Sequence, residues 1–324
     1  MTATWHWHGG ALAEARRHFG GAAWIDLSTG INPHAWPGAA EVAIDWRRLP
    51  EHGALAGLEA AAAASFGVAA RHVCAVPGSE AGMRLTGLLI GGAARHVAPG
   101  YRTHGEIVAG SRAVTWADAA KHDGTLILAN PNNPDGRRAD PALLREWLGR
   151  RRATGWLIVD EAYADCDPAF SIAPDISDAR RLIVFRSFGK YFGLAGVRLG
   201  FVLGPEPFVA RLRAMIGAWP VSAAAIAIGT AAYRDDDWIA ATRRRLQIDA
   251  RSLDALLAQH GLRAVGACPL FRLIETADAP ALFERLARAA ILTRPFAERP
   301  DWLRIGLPAD SAARARLEAA LVHG

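Results

Sequence analysis

Lysine is almost absent from this chain. Of its 37 basic residues only Lys121 and Lys190 are lysine, and the other 35 are arginine. A guanidinium stays protonated, whereas an ammonium that loses its proton on desolvation can attack a carbonyl carbon. Lys121 precedes a predicted turn in "AAKHDG", which favours a surface position. Lys190, in "RSFGKYFGLAGVRLG", is either another solvated lysine or an amine nucleophile, and its neighbours decide between the two.

Cysteine is also scarce, and its spacing excludes two kinds of site. Cys74, Cys166 and Cys268 are the three cysteines, and no two of them form a CxxC pair. This spacing argues against a disulfide framework and against a zinc site, and it is typical of a reduced cytosolic protein. We therefore expect a cytoplasmic protein without a bound metal.

Long apolar runs and clustered charge are missing as well. The segment "MTATWHWHGGALAEARRHFG" has no basic start followed by an apolar stretch, so we expect no signal peptide. The most apolar segment, "AWPVSAAAIAIGTAAY", is short and contains proline, which favours a buried helix. The charge of +5 could suit nucleic acid, but the basic runs "GRRRAT" (149–154) and "TRRRLQ" (242–247) are short. We predict both on helices as solvated faces, and expect binding to neither nucleic acid nor membranes.

What the chain does contain is an alternation of short apolar runs with helical patterns. Strands are predicted at "HVCAV", "RHVA", "AVTW", "TLILA", "WLIV" and "RLIVF", with helices such as "SEAGMRLTGLLIGG" and "DPALLREWLGRRRA" between them. The alternation predicts an α/β fold with a mainly parallel sheet. Helical patterns then continue to about residue 260, and "LFRLIE", "APALFERLARAA" and "WLRIGLP" follow. These later patterns predict a second, smaller α+β domain.

Four loops that follow predicted strands carry the unusual residues: "PGSE", "NPNNPDG", "DEAY" and "RSFGK". In a parallel sheet such loops meet at one edge. Gly78 and Ser79 begin a helix, where free amides suit a phosphate, although the same residues also make an ordinary turn and cap. Asp160 ends an apolar strand, and a buried carboxylate needs a cationic or strongly donating partner such as a protonated pyridine nitrogen.

The remaining polar residues of these loops suit the same ligand. Ser187 and Arg198 can donate to a phosphate, and Asn133 and Tyr163 can bind a phenolate oxygen. Together with Lys190 they fit pyridoxal phosphate, whose aldehyde takes a lysine amine. The alternative requires all of these features to arise as turns and caps in the right order.

Several motifs of the sequence resemble those of a known family. "NPNNPDG", "VDEAY" and "RSFGKYFGLAGVRLG", in this order, resemble the fold-type I pyridoxal-phosphate enzymes related to histidinol-phosphate aminotransferase. "HGGALAEARRHFG", "DLSTGINP", "LPEHGALAGLEAAAA" and "WPVS" narrow the resemblance to the threonine-phosphate decarboxylases of cobalamin biosynthesis. The resemblance spans nearly the whole chain.

The resemblance implies a role for each matching residue. Lys190 would form the Schiff base, Asp160 would hold the ring nitrogen and Tyr163 the ring hydroxyl, which makes these three the catalytic set. Tyr101 would stack on the ring, although an aromatic residue there could also fill the core. The implied cofactor-binding residues are Gly78, Ser79, Glu80, Tyr101, Asn133, Asp160, Tyr163, Ser187, Lys190 and Arg198.

Two arginines are implied for the substrate's anionic groups. Arg294 in "ILTRPF" and Arg304 in "WLRIGLP" could each hold a carboxylate or a phosphate, or could be exposed edge-strand residues. Arg272 is a weaker third candidate. The implied substrate-binding residues are His8, Gly9, Gly30, Asn133, Arg294 and Arg304.

At two positions the chain differs from the pattern of the family that it resembles. Ala11 stands where an asparagine is expected after "HGG", which puts the N-terminal substrate loop in doubt. Leu49 stands where related aminotransferases have a tyrosine that reaches the partner subunit's cofactor phosphate, which puts that contact in doubt.

The implied reaction is decarboxylation of L-threonine O-3-phosphate to (R)-1-aminopropan-2-ol O-2-phosphate. The alternatives are an aminotransferase of the histidinol-phosphate type and a catalytically silent scaffold. The resemblance also implies a homodimer and, as a partner, the downstream cobalamin-pathway enzyme. The expected parts are an N-terminal arm (1–44) packing on the small domain and the active site, a large cofactor-binding domain (45–235) and a small C-terminal domain (236–324).

Overall fold

The computed structural model describes residues 9 to 322, which contain eleven α-helices and thirteen strands. The helices are α1 (Leu12–Phe19), α2 (His52–Phe66), α3 (Ser79–Ile90), α4 (Trp116–Ala119), α5 (Pro141–Gly149), α6 (Phe188–Tyr191), α7 (Glu206–Ile216), α8 (Ala223–Tyr233), α9 (Asp236–Gln259), α10 (Ala279–Arg288) and α11 (Ser311–Val322). The strands are β1 (Ile25–Asp26), β2 (Val73–Val76), β3 (Ala94–Val97), β4 (Arg112–Val114), β5 (Thr125–Ala129), β6 (Leu157–Asp160), β7 (Leu182–Ser187), β8 (Gly200–Leu203), β9 (Ala264–Val265), β10 (Phe271–Glu275), β11 (Ile291–Leu292), β12 (Arg294–Phe296) and β13 (Arg299–Gly306).

The described residues divide into two compact units. The large unit holds residues 35–133 and 137–243, and the small unit holds residues 9–34, 134–136 and 244–322. The three-part division expected from the sequence, with boundaries after residues 44 and 235, stays a prediction.

The large unit is built on a seven-stranded sheet with the order β2-β8-β7-β6-β5-β3-β4. All neighbouring strands are parallel except β8, which is antiparallel to both β2 and β7. Strands β5, β6 and β7 are buried along their whole length, as a parallel sheet covered by helices requires. The predicted α/β fold with a mainly parallel sheet is confirmed.

The small unit contains a four-stranded antiparallel sheet with the order β12-β13-β10-β9. Helix α10 packs on β13, and its apolar face, which includes Leu282, Phe283 and Leu286, is buried. The N-terminal segment joins the same unit because β1 pairs in parallel with β11, with Ile25 opposite Ile291. The predicted smaller α+β part is therefore also present.

The prediction for "GRRRAT" is wrong. Helix α5 ends at Gly149, so Arg150, Arg151 and Arg152 lie beyond its end. Beyond the end of the helix, Nε of Arg151 donates to the Trp147 carbonyl oxygen in the last turn at 2.9 Å. "TRRRLQ" does lie within α9, as predicted.

Two features are absent from the described residues. No helix between residues 9 and 322 combines the length and the hydropathy that a membrane crossing requires. In the same part of the chain, no three His, Cys, Asp or Glu side chains are grouped in a way that could hold a metal ion.

Candidate active site

The start of helix α3 forms a cup for an anion in the large unit. Gly78 precedes the helix with φ of 88°, a conformation that glycine adopts without strain. A Cβ at this position would collide with the guanidinium of Arg198, so that cation lies directly against the helix start. The N-terminus of a helix is itself electropositive, so a cation beside it is repelled. An anion bound between the two positive groups removes this repulsion.

Strand β8 brings the parts of this cup together. Its first residue, Gly200, is the register partner of Val76 at the end of β2 and of Ser187 at the end of β7. A Cβ on Gly200 would collide with the backbone nitrogen of Ser79. Three segments distant in sequence therefore place the Ser79 amide, Ser187 and Arg198 at one edge of the sheet.

Asp160 lies at the end of β6, at the same edge, and is 5% exposed. Its Oδ2 atom is 3.1 Å from Nε2 of His104, and its Oδ1 atom accepts from the backbone amide of Ala162 at 3.1 Å. His104 is fully buried, and it was missed in the sequence. The only signal was its place three residues after Tyr101 in a loop that follows β3.

Tyr101 is held at its hydroxyl end. This group donates to Oε2 of Glu80 at 3.0 Å, and Thr103 donates to the same carboxylate. Burial, followed by the nearby Glu80 charge, raises the pKa of Tyr101 to about 12. The ring meets that of His104 edge-on, with centroids 5.6 Å apart. The Glu80 side chain therefore orients Tyr101 by binding its hydroxyl.

The other predicted cofactor residues also lie in the large unit. Lys190 is half-buried in the short helix α6, which begins directly after Ser187. Tyr163 is buried in the turn that follows β6, and Asn133 is half-buried in the loop that follows β5. All three therefore follow strands whose carboxyl ends share one edge of the sheet.

A buried ion cluster adjoins these residues in sequence and was also missed. Arg186 is 1% exposed and donates to Oε2 of Glu161 at 2.8 Å and to Oδ1 of Asp165. Ser171 donates to the same Glu161 oxygen at 2.6 Å. Burial by itself would lower the pKa of Arg186, but the two carboxylates raise it. The signals were an acidic residue directly after Asp160 and a lone arginine inside an apolar strand.

Two arginines stand opposite each other in the small unit. Arg294 on β12 and Arg304 on β13 are register partners, so their side chains share one face of the sheet. Arg304 is 1% exposed, donates to the Ser28 carbonyl oxygen at 2.6 Å and lies over the ring of Phe271. Like charges directly opposite are destabilising, and a bound anion would remove that penalty. The exposed-edge alternative does not describe Arg304.

The N-terminal glycines contact the loop that Arg304 binds. A Cβ at Gly9 would collide with the Ser28 carbonyl oxygen, and the Gly10 amide donates to Oγ of Ser28 at 2.8 Å. Gly30 is buried in the same loop, with φ of 61°. His8 lies outside the described residues, so its predicted contact with substrate stays a prediction.

Arg272 and the two departures from the expected pattern lie elsewhere. The Arg272 guanidinium donates to Oδ2 of Asp254 at 2.9 Å and to the Phe271 carbonyl oxygen at 3.0 Å. These bonds engage it within the small unit, which argues against a substrate role. Ala11 directly precedes α1 and offers no side-chain cap, and Leu49 is 64% exposed in the large unit.

Comparison with known proteins gives a matching family, two similar sequences and a similar solved structure. The sequence profile of the family described as aminotransferase class I and II matches residues 104–320. A threonine-phosphate decarboxylase of Pseudomonas aeruginosa is 41% identical over 97% of both chains. One from a Sinorhizobium species is 42% identical over 98% of this chain and 97% of its own. The crystal structure of histidinol-phosphate aminotransferase from Sinorhizobium meliloti with pyridoxal-5'-phosphate has a TM-score of 0.85 at 21% identity, covering 96% of this chain and 94% of that one.

Proposed function

The chain belongs to the aminotransferase class I and II family, and from this membership we propose that it is a pyridoxal-phosphate enzyme that decarboxylates L-threonine O-3-phosphate. The observation that carries the proposal is the match, over almost the full length of both chains, to two threonine-phosphate decarboxylases. The product would be (R)-1-aminopropan-2-ol O-2-phosphate, an intermediate of cobalamin biosynthesis.

In this proposal the large unit would supply the residues that bind pyridoxal phosphate. The amides of the α3 start, Ser187 and Arg198 would hold the phosphate, because a cation at an electropositive helix end needs an anion. Asp160 would hold a proton on the ring nitrogen, and Tyr101 would fix the plane of the ring. Lys190 is the amine that would bind the aldehyde. Asn133 and Tyr163 would bind the ring hydroxyl.

Bound pyridoxal phosphate supplies an electron-withdrawing ring that takes up the electron pair left when a bond to the substrate's Cα breaks. Here the bond to the carboxyl carbon breaks, and carbon dioxide leaves. Lys190, as an ammonium group, would then deliver one proton to the same Cα and regain it from solvent, so that a proton replaces the carboxylate. Asp160 must remain a carboxylate throughout, and its bonds to His104 and to the Ala162 amide orient it for this role.

Arg294 and Arg304 would bind the two anionic groups of the substrate. Their guanidinium groups present planar forks, which match a carboxylate or a phosphate with two parallel hydrogen bonds. Gly9, Gly30 and His8 would complete the substrate loops. Unphosphorylated threonine would leave the donors of the phosphate group unsatisfied, at a cost of roughly 1 to 3 kcal/mol for each buried group.

The test is turnover of phosphothreonine without any 2-oxo acid. A decarboxylase ends each cycle with the aldehyde back on its lysine, so we expect many equivalents of carbon dioxide and of a phosphorylated amino alcohol per enzyme. An aminotransferase would stop after one equivalent, because its cofactor stays in the amine form. Turnover of histidinol phosphate with 2-oxoglutarate, while phosphothreonine stays inert, would replace this proposal with the aminotransferase.

We also propose a homodimer. The large unit has a groove of about 600 Å³ between the start of α2 and the segment before α8, lined by Leu55, Val221 and other apolar side chains. Trp219, which lines this groove, is 58% exposed, and Trp46 and Leu49 are 75% and 64% exposed. Exposed apolar surface of this kind marks an association site. Light scattering of the active enzyme should give twice the chain mass of 34.6 kDa, and a fully active monomer would contradict the proposal.

We also propose a cytoplasmic location. All three cysteines are buried and none of them forms a disulfide within the described residues, as expected in a reducing compartment. Cell fractionation would test this. The partner proposed for product transfer, the downstream cobalamin-pathway enzyme, is testable by co-purification.

A further inference from the structure

An arginine-lined cavity lies in the large unit, between the end of α5 and the segment that precedes β7. Its volume is about 410 Å³. The lining residues come from two segments of the chain, 145–153 and 179–181. Five of the nine are arginines: Arg145, Arg151, Arg152, Arg180 and Arg181. The cavity includes two of the three arginines of "GRRRAT", the run that departs from its predicted helix.

The carboxylates around the cavity do not balance these charges. Asp175 accepts from both Arg145 and Arg180, with the first bond at 2.8 Å. Asp123 pairs with Arg152. Two carboxylates thus serve three arginines, and no acidic residue lines the cavity itself. Taken together, the five arginines and the two aspartates leave three positive charges.

Arg151 and Arg181 differ in how they contribute. Arg151 donates to the carbonyl oxygens of Trp147, Gly124 and His122, and these three bonds fix the position of its guanidinium at the cavity wall. Arg181 is exposed and lies over the ring of Trp156, 5.0 Å from its centroid. Among the described residues no carboxylate forms an ion pair with Arg181, so its guanidinium can bind a ligand without breaking one.

We propose that this cavity binds an oligophosphate, that is, a chain of two or more phosphoryl groups. Guanidinium groups match phosphate oxygens, and an excess of three positive charges around a cavity of about 410 Å³ suits several linked phosphates better than a single one. The ligand could be free oligophosphate or the phosphate tail of a nucleotide. A nucleobase finds no free ring to stack on, because Arg181 covers Trp156 and Phe208 packs against the same ring.

The site is separate from the one proposed for the cofactor. Arg181 directly precedes β7, whereas Ser187 ends that strand, and Leu157 begins β6, whereas Asp160 ends it. Six strand residues span roughly 20 Å. The cavity and the candidate cofactor cup therefore lie at opposite ends of the same strands, and both can be filled at once.

The experiment is calorimetric titration of the holoenzyme, whose cofactor cup is already filled, at physiological salt. We expect sodium tripolyphosphate and ATP to bind with similar affinity, orthophosphate to bind at least about tenfold more weakly, and adenosine not to bind. Binding of adenosine, or of ATP alone, would mean that a base is recognised and would overturn the proposal. So would the absence of saturable tripolyphosphate binding.

Substitutions test whether binding depends on the cavity itself or only on the positive charge of the protein surface. Arg180→Ala/Arg181→Ala should weaken tripolyphosphate binding at least about tenfold, because two charge-assisted contacts are lost. The matched control is Arg211→Ala/Arg288→Ala, which removes the same charge from exposed helix positions elsewhere. Equal weakening by both pairs would overturn the proposal. The visible absorbance and thermal unfolding of each variant show whether it is folded and holds cofactor, and Arg181→Ala alone serves if the pair does not fold.

Discussion

The large and small units contribute candidate site residues in different ways. In the large unit, Asp160, Ser187 and the Ser79 amide follow or adjoin the ends of buried strands in one sheet, so backbone register positions them. In the small unit, Arg294 and Arg304 are brought together by one pair of antiparallel strands. The first set is recognisable by residue type. The second is recognisable only by its pairing, because this chain has 35 arginines.

The two units also contain buried arginines with different roles. Arg186 and Arg304 are each 1% exposed. Arg186 binds two carboxylates of its own unit, which identifies it as structural. Arg304 stands opposite another arginine, which identifies it as a candidate for an external anion. The groups that face each side chain, and not burial or residue type, distinguish the two roles.

Loss of the lysine amine should have the largest effect. Lys190→Ala should abolish decarboxylation and the covalent attachment of pyridoxal phosphate, because no other amine follows these strands. Reduction with borohydride and peptide mapping measure the attachment. Lys121→Ala is the matched control, since that lysine is exposed and pairs with Asp118. A reduced adduct on Lys121 in the unaltered enzyme would refute the assignment of Lys190.

Breaking the buried ion cluster should have the second-largest effect. Arg186→Met would leave Glu161 and Asp165 buried without their cation, which costs about 3 to 5 kcal/mol of unfolding free energy. Urea denaturation monitored by circular dichroism measures the change. Arg211→Met changes an exposed arginine on α7 and should leave stability within about 0.5 kcal/mol. A similar loss of unfolding free energy in both variants would mean that the buried cluster stabilises the fold no more than an exposed arginine does.

Removing one arginine of the pair should impair substrate use but not cofactor binding. Arg304→Ala or Arg294→Ala should lower kcat/KM by about 1.5 to 3 kcal/mol, the value of a hydrogen bond to a charged group. The absorbance of the bound cofactor should be unchanged. If either variant instead lost its colour, the arginine would belong with the cofactor residues, and the contrast between the two units would fail.

The smallest effect is expected from the buried histidine. His104→Phe removes the hydrogen bond to Asp160 and should lower kcat/KM by about 1.5 kcal/mol, the lower end of the range for a bond to a charged group, because His104 would act only through Asp160. Because His104 would act through Asp160, the absorbance of the bound cofactor should also change its dependence on pH. His104→Gln offers a donor again and should restore part of both properties. An unchanged pH profile in His104→Phe would leave His104 with a packing role only.

Much of the large unit could be predicted because its central strands are continuous apolar runs. Strands β5, β6 and β7 are buried on both faces, so their sequences carry a strong signal, and the loops that follow them carried the cofactor residues. Strand β8 was not predicted. It begins with Gly200, which is the last residue of the segment "RSFGKYFGLAGVRLG" that contains Lys190. The two-residue strands β1 and β11 are too short to give a pattern.

Contacts between distant residues could not be predicted in the same way. His104 and Asp160 are 56 positions apart, and neither neighbourhood indicates the other. The pairing of Arg186 with Glu161 and Asp165 depends on β6 and β7 being neighbours. The Arg151 side chain binds backbone carbonyls of Trp147, Gly124 and His122, and such contacts are not part of helix propensity. The predicted roles of Arg294 and Arg304 came from resemblance to a family, because arginine in an arginine-rich chain is a weak signal.

The position of Gly200 between Val76 and Ser187 bears on how the protein matures. The anion cup joins segments more than a hundred residues apart, so it cannot exist until the chain has been made through β8 and that strand has inserted between its two neighbours. A ligand that binds the completed cup stabilises only the finished sheet. The supply of cofactor in the cell would therefore influence how much newly made chain survives, as well as how active it is.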